Sequence, residues 1–319
     1  MKRLVAVLAS LLFPGLAIAQ SYPNHAVKVI VPWPPGQATD IAARMLADKM
    51  AEALKQPFVV DNRAGAGGSI GTEIALKSPA DGYTLLAASS GPVSIMPSLQ
   101  KIPYEPLKDL QLIGLVSRNP YALVVNANFP AKDAKEFIAL VKASPDKYTF
   151  ASSGTGATAH LVAELFNSQA GLKARHVPYK GSAPAITDVI GGQVDYMVET
   201  VASVAPHIKS GKLKTFGVST AKRAAALPDV PTLAEAGNLP DYDIGAWIGY
   251  GVPAGTPREI VLRLSGEMQK ALAAPELRER LFNAGLDPAD VPFDQLPAFM
   301  RREQERYAAI IKGANIKVE

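Results

Sequence analysis

Short apolar runs take turns, from Val27 onward, with segments that carry an apolar residue at every third or fourth position. Val27 to Val31 has the length and content of a buried strand, whereas Asp40 to Leu54 places Ile41, Met45, Leu46, Met50 and Leu54 on one stripe of a helix. Phe58 to Val60 and Tyr83 to Ala87 are further strands, and a short helix follows Gly71. Repeated strand–helix units predict an α/β sheet that is parallel at its centre and covered on both faces. Leu110 to Val116 and Tyr121 to Val125 then follow with little between them, the pattern of a passage from one sheet to the next.

A second series repeats the first. Helices are predicted over Ala134 to Ala143, Ala157 to Ser168, Pro184 to Ile190 and Ala202 to Lys209, alternating with strands at Tyr148 to Ala151, His176 to Tyr179, Val194 to Val198 and Leu213 to Ser219. Pro228, Pro231 and Pro240 mark a connecting stretch before the apolar run Trp247 to Val252. From Pro257 the pattern is helical, with Pro257, Pro275 and Pro297 each suited to a first turn. These last helices have no strands of their own. If Trp247 to Val252 returns to the first sheet, residues 20–120 and 247–319 form one discontinuous domain around an inserted domain, 121–246. The crossovers near Ser117 to Tyr121 and Gly245 to Trp247 would then be a two-strand hinge.

With 319 residues, 48% of them hydrophobic and 19% charged, the chain can bury two cores and lacks the composition of disorder. Lys2 and Arg3, the apolar run Leu4 to Phe13 and Ala17-Ile18-Ala19 have the layout of a secretory leader over residues 1–19. The apolar run is well short of the ~20 residues of a membrane span. A soluble periplasmic protein is expected. Without the leader's two bases, 31 basic residues face 29 acidic ones, too little excess for a nucleic-acid partner. The absence of cysteine removes thiolate catalysis, disulfides and Cys-ligated metals.

Ligands of open parallel sheets sit beyond the carboxyl ends of strands, against helix N-termini. Several unusual loops fall there. The first, Pro32 to Asp40, contributes Trp33, Pro35, Gln37, Ala38 and Asp40 as candidates, with Thr39 and Asp40 as possible N-caps. Ser89 and Ser90 follow the third strand; Ser153, Thr155, Gly156, Thr158 and His160 lie in a glycine-rich loop that enters a helix. Tyr179 and Lys180, with Gly181 and Ser182, enter another helix, and Glu199 with Thr200 follows a strand. Small residues let backbone N–H groups and the helix dipole reach a carboxylate or phosphate. The plain alternative at each loop is ordinary capping, which suits Asp40 better than contact with an anion. Lys180 offers a charge to a ligand or points to solvent.

Enzyme motifs fail in detail. Gly65 to Ile70 has Ile70 where a dinucleotide fingerprint needs its third glycine, and Gly211-Lys212 lacks the rest of a phosphate loop. His160 and Glu164 have helical i, i+4 spacing, read as an ion pair rather than a metal site. Ser152 or Ser153 with His160 would give a nucleophile and base, and a secreted hydrolase using Ser153 and His160 is the alternative reading, but there is no nucleophile elbow. No cofactor or metal is expected.

At these same loops the chain resembles the Bug family, extracytoplasmic solute receptors of tripartite tricarboxylate transporters. The resemblance runs through Val31-Pro32-Trp33-Pro34-Pro35-Gly36 to Arg44, Asn62 to Gly71, Ala80 to Leu86, Ser152 to Glu164, Val177 to Gly181 and Leu227 to Thr232. It implies a two-domain Venus-flytrap receptor, monomeric and not an enzyme, that closes on a small carboxylate and passes it to membrane permease subunits. It also implies that the Pro32 and Ser152 loops face each other across the cleft. One position departs: Gln37 follows Gly36 where the family commonly has a second glycine.

Overall fold

The computed structural model describes residues 22–240 and 242–313. The leader assigned to residues 1–19 lies outside them. The strands are β1 (Val27–Val31), β2 (Phe58–Asn62), β3 (Thr84–Ser89), β4 (Leu110–Asn119), β5 (Tyr121–Asn126), β6 (Thr149–Ser152), β7 (Arg175–Pro178), β8 (Tyr196–Thr200), β9 (Leu213–Val218), β10 (Ala246–Pro253) and β11 (Asp287–Pro288). They form two sheets, ordered β11-β4-β10-β3-β1-β2 and β7-β6-β8-β5-β9.

Both sheets are covered on both faces, and alternation along single strands shows it. In β1, Val27, Val29 and Val31 enter one core cluster while Ile30 enters another. In β5, Tyr121, Leu123 and Val125 point to one side and Ala122 and Val124 to the other. These runs carry little polar alternation because both faces are packed, with Lys28 of β1 the exposed exception.

The parallel part of the first sheet is β2-β1-β3, and that of the second is β7-β6-β8. β10 runs antiparallel to both β3 and β4, and β5 antiparallel to both β8 and β9. The crossovers cause this. β4 leaves the first sheet at its carboxyl end, so β5 enters the second sheet from the cleft side and β10 returns from it, each opposed to its neighbours. The two passages lie side by side, with Asn119 paired to Ala246. Pro120 alone separates β4 from β5, and its carbonyl accepts from the Val201 N–H at 3.0 Å.

Helix boundaries follow the apolar stripes to within a few residues: Ala38–Leu54, Thr158–Ala170, Ser182–Ile190 and Val201–Lys209. A helical segment, Gly91–Ile95 running into Met96–Leu99, was not evident from the sequence, because its two prolines and short length hide the period. The helices Arg258–Ala273 and Pro275–Asn283 pack on the first sheet through Val261, Leu264, Met268, Leu277 and Leu281. The last helix, Leu296–Gly313, reaches further. Phe299 and Met300 join a first-sheet core, whereas Tyr307 and Ile311 join the core of the second. At 1.5 Å per residue its length spans both.

Candidate functional site

The carboxyl ends of β1, β3, β4 and β8 face a cavity of about 40 Å³ between the two sheets. From the first sheet come Trp33, Gln37, Ala38, Thr39, Ser89 and Asn119; from the second come Tyr121, Ser153, Thr158, Ser182, Glu199 and Thr200. Trp247 and Ile248 of the returning strand close it from behind.

Four helix N-termini meet here. The helices starting at Ala38, Thr158, Ser182 and Val201 each expose first-turn N–H groups that no cap side chain satisfies. Together with their dipoles, such ends make a positive potential without a charged side chain. Among the described residues the lining has no Lys, Arg or His.

Side-chain placement follows from the loops. β1 ends in Pro32-Trp33-Pro34-Pro35, a stiff segment held by Asn62, whose amide donates to the Trp33 carbonyl at 2.9 Å and to Asp40 at 2.9 Å. The Trp33 indole N–H donates to the Ser89 hydroxyl at 2.9 Å, tying that loop to the end of β3. Gln37 occupies the cap position of the Ala38 helix, yet its side chain caps nothing; its Nε2 is buried without a hydrogen-bond partner. Asn119 is 1% exposed, and both polar atoms of its side chain are likewise unpartnered. On the facing lobe, burial pushes the Tyr121 phenol well above its ordinary pKa, with Thr158 close by opposing that shift. Glu199 accepts from the Ser182 hydroxyl at 2.9 Å and the Thr200 N–H at 2.7 Å.

Of the residues singled out in the sequence, Trp33, Gln37, Ala38, Ser89, Ser153, Thr158 and Glu199 line the cavity. Pro35 and Lys180 are exposed and away from it. Ser90 holds the returning strand, accepting from the Trp247 N–H at 2.9 Å. Thr155 and Gly156 shape the loop behind the lining, and the Tyr179 hydroxyl donates to Asp188 at 2.6 Å. Neither Thr39 nor Asp40 is the helix cap, since the helix begins at Ala38 and both fall in its first turn. Asp40 instead reaches back to accept the Gly36 N–H at 2.9 Å and pairs with Arg44. Burial raises its pKa, but bonds from Arg44, Gly36 and Asn62 outweigh that and hold it below the usual carboxylate range.

His160 is occupied too. Its Nδ1 accepts from the Gly156 N–H at 3.3 Å, its Nε2 lies 3.6 Å from Glu164, and its ring stacks on His176 with centroids 4.0 Å apart. The serine that meets a histidine is Ser152, 2.7 Å from His176 Nε2, and it is fully buried outside the cavity. Burial, with His160 close by, lowers the His176 pKa to about 3. Sequence reasoning marked the loops of Ser182 and Thr200 but missed Asn119, Tyr121 and Trp247 as lining. The signal was present at the crossovers: residues that begin and end the passages between sheets also border whatever lies between them.

Residues 42–316 match the family described as tripartite tricarboxylate transporter family receptor. The chain belongs to this receptor family. BugT of Bordetella pertussis (strain Tohama I) is 38% identical over 328 residues, covering 100% of this chain and 99% of BugT. Among solved structures, R. palustris Rpa4515 with adipate superposes with a TM-score of 0.89 at 32% identity, covering 93% of this receptor and 99% of that chain. The periplasmic binding protein BugD gives 0.88 at 35% identity, covering 93% and 100%. The family is one of solute receptors, not enzymes, so the hydrolase reading of Ser153 and His160 falls with the geometry that occupies His160. Among the described residues no helix is long and apolar enough to cross a membrane.

Proposed function

We propose that this receptor captures a small dicarboxylate in the periplasm, between a first domain (residues 20–120 and 247–319) and a second (121–246), and delivers it to inner-membrane permease subunits. One observation carries the reading. A cavity lined from both sheets joins four uncapped helix N-termini with three buried amide atoms, one on Gln37 and two on Asn119, that have no partner in the protein. Unpaired buried polar atoms cost about 1–3 kcal/mol each, so the site is incomplete without a polar ligand. The adipate held by Rpa4515 supports a dicarboxylate.

A cavity of about 40 Å³ holds little more than water, so such a ligand enters only when the lobes part. The paired passages at Asn119 and Ala246 are the natural hinge. For ~12 non-hydrogen atoms at about −0.7 kcal/mol each, affinity is near −8 kcal/mol, or roughly micromolar. The test is calorimetric titration of mono- and dicarboxylic acids, with X-ray scattering at saturation. Binding of a dicarboxylate with a smaller radius of gyration is expected; binding of none, or an unchanged radius, counts against the proposal. Gln37→Gly should weaken the best ligand by about 1–3 kcal/mol while sparing or improving other acids, because the ligand is what pairs with this buried amide. A uniform shift across the panel would remove Gln37 from ligand choice.

A further inference from the structure

A fully buried acid in the wall of an anion site is a chemical contradiction that the structure has to resolve. Glu199 ends β8 and lines the cavity at 3% exposure. Its carboxyl oxygens accept from the Ser182 hydroxyl and the Thr200 N–H. Neither donor carries a charge.

The groups around it make the problem sharper. Tyr121 on β5, Thr158 on the Thr158–Ala170 helix, Ser182 on the Ser182–Ile190 helix and Thr200 before the Val201–Lys209 helix surround it within the second sheet's lobe. Trp33, Gln37, Ser89, Asn119 and Trp247 complete the cavity from the first. Among these described residues Tyr121 is the other titratable group, and its phenol stays protonated because burial raises its pKa. With no cation in the lining, an ionised Glu199 and an incoming carboxylate would repel each other in a medium of low polarity.

We propose that Glu199 enters the complex as a neutral carboxylic acid and donates its proton to an oxygen of the ligand carboxylate, so that binding takes up one proton. This rests on the dicarboxylate reading above. The donated hydrogen bond replaces a repulsion, as in other carboxyl pairs that share a proton. Burial already moves Glu199 in this direction, raising its pKa against the lowering effect of Thr200 and Ser182. Above that pKa the free receptor must first bind a proton, and affinity therefore falls as pH rises.

The probes are adipate and succinate, titrated calorimetrically between about pH 6.5 and 8.5, where their own carboxyls are ionised. Two buffers of different ionisation heat count the protons. Wild type should take up close to one proton and lose affinity toward ten-fold per pH unit. Glu199→Gln should bind with no proton uptake and a flat profile, provided its melting temperature matches wild type. Binding without proton uptake in wild type, or the same slope in Glu199→Gln, overturns the inference and leaves the dicarboxylate reading intact. If neither acid, nor any other in the panel, binds at any pH, the dicarboxylate reading fails and takes this inference with it.

Discussion

The Pro32–Asp40 loop of the first sheet and the Ser153–His160 loop of the second are built to one plan with different chemistry. Each holds a glycine at positive φ, Gly36 at +84° and Gly156 at +76°, one residue before the helix cap. In each, the third helical residue reaches back to accept that glycine's N–H: Asp40 at 2.9 Å and His160 at 3.3 Å. The device is close to a capping box moved out by one residue. The cap residues themselves make no capping bond, and Gln37 lines the cavity on one side and Ala157 on the other. The difference lies in the anchor. Asp40 is an ion held by Arg44 and Asn62, whereas His160 is an imidazole stacked on a second imidazole. In sequence both stand among the candidate contacts, Asp40 with capping as its better reading, and both serve the backbone that presents the contacts.

Removing the anchors tests this most severely. Asp40→Ala leaves the Gly36 N–H, Asn62 and Arg44 without their shared acceptor and should cost about 3 kcal/mol in urea unfolding. His160→Ala should cost about 1–2 kcal/mol, since one weaker bond is lost. The pH dependence separates them. Because the Asp40 pKa is depressed in the folded protein, its contribution is complete above the ordinary carboxylate value of 3.8 and is lost as pH falls through the lower folded value. The gap between wild type and Asp40→Ala should therefore narrow below about pH 4. A gap of the same size at pH 3 and pH 7 would mean that Asp40 acts without its charge.

Substitution on the cavity side should change binding instead. Thr158→Val removes the hydroxyl at the first helical position of the second loop, and dicarboxylate affinity should weaken by about 2 kcal/mol. Wild-type affinity in calorimetry would take Thr158 out of the site and leave the first loop as the principal anchor.

The two glycines test the backbone of the loops, and Gly36 gives the smallest effect of all. An added Cβ at Gly36 meets nothing within 4 Å, so Gly36→Ala should cost only the positive-φ penalty, about 1 kcal/mol. At Gly156 the same atom falls 2.5 Å from Met96 Sδ, so Gly156→Ala should cost about 2 kcal/mol, adding a displaced side chain to the same backbone penalty. Equal losses in thermal unfolding would show that the methionine moves aside freely.

Periodicity by itself determined the βα series and the helix stripes, and the return of the Trp247 run to the first sheet followed as the economical way to cover terminal helices that have no strands of their own. These depend on local spacing and on apolar residues having to be buried. It also marked the right loops, because Gly, Ser and Thr beyond a strand have few other uses. Which residues of those loops reach the cavity was decided by tertiary structure. Gln37 lines the cavity although it holds a helix cap position, and Glu199 lines it because β8 lies beside β5, with Glu199 paired to Ala122, 77 residues earlier in the chain. Asn119 and Trp247 stand together only because β4 and β10 pair, with Trp247 opposite Arg118 and Ala246 opposite Asn119. The last helix bridges two cores for the same reason: its stripe records that Phe299 and Tyr307 are buried, but not against which sheet. Pattern along a chain reports that a side chain leaves water; only the packed neighbours decide what it meets instead.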